Sequence, residues 1–363
     1  MDTNQGSSTA GHPIAPIAHD RIMGPLARIA ATNALLTILT LSIWRFWGRV
    51  RVRRAIWSAT SLFGDRLEYT GTGGELFRGF LIALLFFAPL MVVLWTIELL
   101  FANRPIVANI VTGAVIVVFA ALGLFAVQAA RRYVASRTTW RGIRFALDGT
   151  PAGYMRSQIG WWLLLVVTLG LAYPWLTAAD TRWTIGRLRI GDQAFAFDGK
   201  GSQLFLPFIV SIVQNVILCI VLVALVLAAV SYGAGSTQAA WYVAVQVLPL
   251  LVILVLLFGP GWVSFQAAFL RWRAEHAMLG GVSFAMDGAT PWRVFRLIYG
   301  NLLLTIFTLG VLSPLAMART AAFTALHLRC SGIPDLSATL QTGAGPHTGE
   351  GLASLLSADA FAA

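Results

Sequence analysis

Lysine is almost missing from this chain: of its 26 basic residues, Lys200 is the single Lys and the rest are Arg. Charge of either sign is scarce, at 11% of 363 residues, against about 25% in an ordinary soluble domain. Apolar residues make up 58% and the mean hydropathy is +0.76. A large soluble core does not account for that balance, so the bilayer is the expected solvent and soluble-enzyme and secreted classes are excluded. Only two cysteines, Cys219 and Cys330, are present, which excludes a disulfide framework and any Cys-rich metal or iron–sulfur site. The Gly-x-Ser-x-Gly elbow, the phosphate-binding Gly-x-x-x-x-Gly-Lys-Ser/Thr loop and His-Glu-x-x-His are all absent. His276 beside Glu275 reads as a solvated pair, and His327 with Cys330 offers too few ligands for a metal. The chain is therefore expected not to be an enzyme and to carry no cofactor and no metal. A net charge of +11 would suggest nucleic acid in a soluble protein. Here the charges lie between apolar blocks, so the expected partners are membrane lipids and no nucleic acid. A homo-oligomer is compatible with this reading, and a small-molecule substrate is not identifiable from it.

What the chain has in abundance is long apolar runs. Residues 201–270 contain no Asp, Glu, Lys, Arg or His, room for two spans of about 20 residues and a turn. The turn is Ser231 to Gln238, small and polar. A second pair covers 79–103 and 105–130, joined at Asn103-Arg104-Pro105 and carrying one internal charge, Glu98. Seven apolar segments are expected in all: 29–44, 79–103, 105–130, 157–179, 204–230, 240–270 and 297–318. The first is short for a ~30 Å hydrocarbon layer. The fourth and seventh are broken by Gly170/Pro174 and Gly310/Pro314. Residues 1–24 are expected to be a disordered cytoplasmic tail, 25–330 the membrane domain, and 331–363 a second disordered tail. The fold class expected is an all-α, multi-pass helical membrane bundle with small cytoplasmic strand/turn modules.

Self-similarity runs through the chain. Thr40-Leu41-Ser42, Thr168-Leu169-Gly170 and Thr308-Leu309-Gly310 match, and the eight residues ending at Thr40 resemble those ending at Thr308. Between the apolar blocks a module recurs four times. An Arg (54, 132, 182, 271) is followed seventeen residues later by a Gly (71, 149, 199, 288). Alternating stretches such as Phe145-Ala146-Leu147 precede that Gly, and Asp148-Gly149, Asp198-Gly199 and Asp287-Gly288 close three of the four. Period-two alternation ending in Asp-Gly predicts a short strand and a tight turn.

Trp44 to Arg54, then Gly64 to Gly73, with Thr168-Leu169-Gly170 and Pro174-Trp175, resemble the YjgN-like bacterial inner-membrane family over roughly residues 25–330. Ser42 replaces the usual Gly, and the turn motif is lost after Cys330. The resemblance implies a multi-pass inner-membrane protein and brings no established activity.

The four modules hold 21 of the 26 basic residues, so they are expected on the cytoplasmic side and the long-hairpin tips in the periplasm. One simple span over 157–179 would break that rule. Two layouts fit: the Thr-Leu-Gly segments are broken or re-entrant, which the charge pattern favours, or the chain is an inverted repeat of three plus three helices with one extra.

Two sets of side chains are candidates for function. Gln214, Asn215, Gln246, Asn33 and Asn301 are polar groups in apolar segments, where an unpaired amide costs several kcal/mol. They serve either as interhelical hydrogen bonds or as the lining of a polar pathway. Arg49, Arg51, Arg53, Arg54, Arg131, Arg132, Arg271 and Arg273, interleaved with aromatics, suit anionic headgroups. The expected function is transport-related, for a small solute or lipid along a polar route. The alternative is a non-catalytic scaffold holding anionic lipid or a partner through the Arg/aromatic modules.

Overall fold

The computed structural model describes residues 15–101, 104–233, 249 and 259–332. The elements are β1 (Ile17–His19), α1 (Met23–Leu39), α2 (Arg45–Ser58), β2 (Thr60–Leu62), β3 (Asp65–Tyr69), α3 (Gly73–Leu100) and α4 (Pro105–Arg137). Next come β4 (Thr138–Trp140), β5 (Ile143–Leu147), α5 (Pro151–Val167), α6 (Tyr173–Ile185), β6 (Leu188–Ile190), β7 (Gln193–Phe197) and α7 (Gly201–Gly233). The chain ends with α8 (Pro260–Glu275), β8 (Ala277–Leu279), β9 (Val282–Met286), α9 (Pro291–Phe307), α10 (Ser313–His327) and β10 (Leu328–Cys330).

The expectation of an all-α bundle is overturned by a ten-stranded antiparallel sheet in the order β1 to β10, nearly closed into a barrel. Only three described helices are long and apolar enough to cross a membrane: Gly73–Ile97, Asn109–Arg137 and Gly201–Ala228. The single strand expected per module is a two-stranded hairpin. The first strand of each is three residues long and follows its helix almost directly, so it shows no alternation of its own. The reversals lie at Phe63-Gly64, Arg141-Gly142, Gly191-Asp192 and Gly280-Gly281, between the paired strands. Asp148-Gly149, Asp198-Gly199 and Asp287-Gly288 instead lead from a strand into a helix. β1 lies inside the stretch assigned to the N-terminal tail and pairs with β2 through Ile17↔Leu62 and His19↔Thr60.

Strand pairing dictates where the helices go. β1–β2, β3–β4, β5–β6, β7–β8 and β9–β10 are neighbours in the sheet yet are separated in sequence by helical excursions. Each excursion is closed at its base by a backbone bond. Asp20 N–H donates to Ala59 O at 2.8 Å, Thr70 to Arg137 at 2.8 Å and Asp148 to Arg187 at 2.9 Å; Asp198 donates to His276 at 3.3 Å and Asp287 to His327 at 2.8 Å. All five excursions therefore leave and re-enter at the same rim, and the tight turns occupy the other. Each helix packs on the next, and α1 on α10, so the described helices close into a ring above the sheet.

Inside the sheet, cross-strand pairs pack together. Leu67↔Trp140, Phe145↔Ile190 and Phe195↔Leu279 join Leu62, Phe63, Ile143 and Phe284 in one cluster. Side chains drawn from eight strands meet only if they point at a common axis, so this cluster plugs the sheet. Trp140 and Leu279 are about 1% exposed and Ile190 is fully buried.

Three excursions are short hairpins, α1–α2, α5–α6 and α9–α10, each broken at a Thr-Leu-Gly/Ser segment. Leu41, Leu169 and Leu309 take φ of 49°, 50° and 50°, and the next residues, Ser42, Gly170 and Gly310, take 71°, 94° and 81°. Ser42 alone carries a Cβ at the second left-handed position, where an L side chain costs about 1–2 kcal/mol. Ser42→Gly is expected to stabilise the protein by about 1 kcal/mol and Gly170→Ser to lose a comparable amount, read as opposite shifts of the thermal unfolding midpoint in detergent.

Candidate functional site

Above the sheet, residues of α2, α4, α5, α6 and α10 line an open, groove-like cleft of about 1160 Å³. It follows α4 from Ile116 to Ala135, about 28 Å at 1.5 Å per residue. Its walls are almost wholly apolar, among them Ala120, Leu124, Ile159, Leu163 and Met317. The end next to the sheet, marked by Leu147 and Leu188, is where polar groups gather: Arg53, Trp57, Arg131 and Thr184.

Arg131 is held there by a fork. Its Nη1 donates to Asp180 Oδ1 at 2.6 Å and to Thr184 Oγ1 at 3.1 Å, and its Nη2 to Asp180 Oδ2 at 3.1 Å. Tyr154 donates its hydroxyl to Asp180 Oδ1 at 2.6 Å. Burial first, then the Asp180 carboxylate, push the Tyr154 phenol above its ordinary value, so it stays a donor. Arg53, buried, donates to the Tyr69 hydroxyl at 3.2 Å and lies over the Tyr69 and Trp57 rings. The cleft thus couples a long apolar body to an end that carries Arg53 and the Arg131–Asp180 ion pair.

The polar residues expected in a pathway go to separate places. Asn33 donates to Gly48 O at 3.1 Å across α1–α2, and Asn301 to Ala316 O at 3.3 Å and Thr320 Oγ1 at 3.2 Å across α9–α10. Each reaches a carbonyl fifteen residues on, so each staples its own hairpin. Asn215 Oδ1 accepts the Gly261 N–H at 2.9 Å, serving an otherwise orphaned donor at the start of α8. A Cβ on Gly261 would collide with Ser211 O and Asn215. Gln214 is exposed on α7, and Gln246 lies outside the described residues, as does the Glu98 side chain.

The Arg residues divide as well. Arg54 Nη2 donates to Gly71 O at 2.8 Å and Arg182 Nη2 to Gly199 O at 2.7 Å, which is the physical content of the seventeen-residue spacing. Arg271 Nη1 makes the same clasp one residue later, to Ala289 O at 2.6 Å. Arg51 donates to Asn33 Oδ1 at 3.4 Å. Arg49 and Arg132 are half-buried on α2 and α4, and Arg273 on α8 keeps accessible surface while surrounded by protein, within electrostatic reach of Asp180 and Arg131. Of these Arg residues, Arg53 and Arg131 reach the cleft.

Tyr154, Asp180 and Thr184 were not singled out in the sequence. They come from two different helices, and an Asp in a Thr-rich stretch carries no motif. Gln128 was missed too: it is fully buried on α4, with neither amide atom bonded among the described residues. His276 and His327 have local roles, each donating from Nδ1 to the carbonyl four residues back, at 2.9 and 2.8 Å.

Apolar helical hairpins standing on one rim of an antiparallel sheet, three helices of them long enough to cross a bilayer, define a membrane protein. The chain belongs to the family described as bacterial protein of unknown function (DUF898), whose model matches residues 17–355. It is similar to the inner membrane protein YjgN of Escherichia coli O157:H7 and to that of strain K12, at 26% identity over 144 residues in each case. That match covers 40% of this chain and 32% of the relative, so the chain spans about a third of the curated proteins it matches. No solved structure matches it.

Two substitutions check this geometry. Gly261→Ala is expected to cost about 1–3 kcal/mol by overpacking α7 against α8. Tyr154→Phe is expected to cost about 1–2 kcal/mol by leaving Asp180 one donor short. Both are read from thermal unfolding in detergent, and an unchanged midpoint contradicts the contact concerned.

Proposed function

We propose that this is a multi-pass inner-membrane protein, built by internal repetition of a strand–helix–helix–strand unit, that takes a membrane-borne amphiphile into the cleft above its sheet. The two long hairpins cross the bilayer, and the sheet with its Arg-rich connectors lies on the cytoplasmic side. The role is transport-related, and no covalent step is part of it. The observation that carries the reading is the cleft: about 1160 Å³ of apolar wall with Arg53 and Arg131 at one end. An apolar space of that size loses dispersion contacts if empty and gives water few partners, so an acyl chain is its natural filling. A small polar solute is less well served, because Asn33, Asn215 and Asn301 are already tied to backbone or side-chain partners. The scaffold alternative draws on the Arg/aromatic modules, where Arg54, Arg182 and Arg271 are bonded to carbonyls of their own modules. What favours the first reading is the apolar space itself, since Arg131 too is already paired, with Asp180.

Filling the cleft tests the proposal. Native mass spectrometry of the purified protein is expected to show a retained anionic lipid, reduced at least several-fold in Ala120→Trp with its unfolding midpoint kept. A deletion strain is expected to regain its lipid profile with the parent chain and not with the filled variant. Retention and complementation that are indifferent to the filling would overturn the reading.

A further inference from the structure

We infer that the three short hairpins are confined to part of the bilayer thickness, with Leu41, Leu169 and Leu309 seated among acyl chains and the chain turning back without reaching the far surface. The inference rests on the membrane placement of the protein and is independent of what the cleft binds.

Depth comes from the spacing of charge. Each tip Leu follows an exposed Arg by the same distance, Arg28 to Leu41, Arg156 to Leu169 and Arg296 to Leu309, with no charged residue between. Thirteen helical residues rise about 20 Å, against a hydrocarbon layer of about 30 Å. With Arg156 and Arg296 at the headgroup level, Leu169 and Leu309 pass the middle of the layer and stop short of the other side. Both arms return to the same rim of the sheet, because β1–β2, β5–β6 and β9–β10 are paired at their bases. A single crossing by α1–α2, α5–α6 or α9–α10 is incompatible with that pairing.

A turn inside hydrocarbon must satisfy its own backbone, since each unpaired group there costs several kcal/mol. These turns do so three times in the same way. Thr168 Oγ1 donates to Leu164 O at 2.7 Å and accepts the Ala172 N–H at 3.0 Å. Thr40 and Thr308 bridge their two helices identically, to Leu36 O and from Trp44 N–H, and to Leu304 O and from Leu312 N–H. The left-handed pair lets the second residue's N–H reach back five positions: Ser42 to Thr37 O at 2.7 Å, Gly170 to Leu165 O at 2.8 Å and Gly310 to Thr305 O at 2.7 Å. In each tip all six consecutive N–H groups, 40–45, 168–173 and 308–313, have an acceptor within the tip or its helix.

The surface it presents is apolar. Leu41, Leu169 and Leu309 are 89%, 94% and 93% exposed, and Val166, Val167, Ile306 and Phe307 are exposed on the approach. The occupant to which this surface commits is the acyl-chain region of the bilayer, which is continuous with the three long apolar helices of the same ring. The three tips are not equal. Arg45 lies four residues past Leu41, whereas the next charged residues after Leu169 and Leu309 are Asp180 and Arg319. Leu41 therefore sits shallower than the other two.

The test uses the full chain in vesicles of phosphatidylethanolamine and phosphatidylglycerol, with a nitroxide on Leu41→Cys, Leu169→Cys or Leu309→Cys. Native Cys219 and Cys330 are buried, and the parent chain is the labelling blank. Collision with oxygen, which concentrates in the bilayer interior, is compared with collision with a water-soluble nickel chelate. The ratio at 169 and 309 is expected to exceed by at least tenfold that of Arg141→Cys on the β4–β5 turn, with position 41 between. Nickel access at 169 or 309 equal to that at 141 places the tip in water and overturns the inference. A label shielded from both reagents means that a second copy covers the tip, and overturns it equally. Neither failure touches the cleft, whose test reads lipid retention.

Discussion

The backbone pairing at the foot of each helical excursion is the constraint from which the rest follows. A chain that leaves β5 as α5 and returns through α6 must come back to the edge of β5, because β6 has no other partner on that side. Repeated five times, this condition sends every helix out through one rim and leaves the tight turns on the other. It also gathers the connectors, and with them most of the Arg residues, on a single side. The cost of closing such long loops grows slowly with their length, and the axial cluster around Trp140, Ile190 and Leu279 offsets it by burying large side chains together. The two ends of the described chain take part as well: β1 and β10 are the outer strands, each paired on one side to a complete hairpin.

Arginine is chosen over lysine for a reason visible in the contacts. A guanidinium offers several donors in a rigid plane, whereas an ammonium is a point charge that sheds its hydration reluctantly. Arg54, Arg182 and Arg271 use that plane to clasp the carbonyl at the end of the neighbouring strand, so each helix is tied to its own hairpin. Arg131 uses two nitrogens on one carboxylate and still reaches Thr184. Arg137 does similar work beside it, pairing with Glu75 at 2.8 Å, and Glu75 also accepts the Tyr133 hydroxyl. Basic residues that look like a uniform belt in sequence are thus mostly engaged in the architecture, Arg131 included, which borders the cleft as an ion pair with Asp180.

Much of this was legible before any coordinates. The membrane class, the long apolar helices at 73–97, 109–137 and 201–228, the matching Thr-Leu-Gly segments and the Arg-to-Gly interval are all readable, because hydropathy and spacing are local properties. The strands were half visible. Leu67-Glu68-Tyr69 and its counterparts alternate, but Thr60–Leu62 and its counterparts are too short and too close to a helix to announce themselves. Asn33 and Asn301 stand out in the sequence as amides in apolar segments, yet their partners, the Gly48 and Ala316 carbonyls, are backbone atoms with no signature. The Arg131–Asp180–Tyr154 cluster joins three helices and was invisible for the same reason.

Sequence alone determined that this chain belongs in lipid, that its charge sits in recurring modules, and that three apolar segments break at a Thr-Leu pair. Those properties depend on residue identity along a few turns of chain. Tertiary structure decided that the modules pair edge to edge into one sheet, that broken segments return to their starting rim, and that an apolar cleft ends in two guanidinium groups. Such features depend on hydrogen bonds and contacts between residues far apart in sequence, and a pattern read along the chain holds no record of which strand lies beside which.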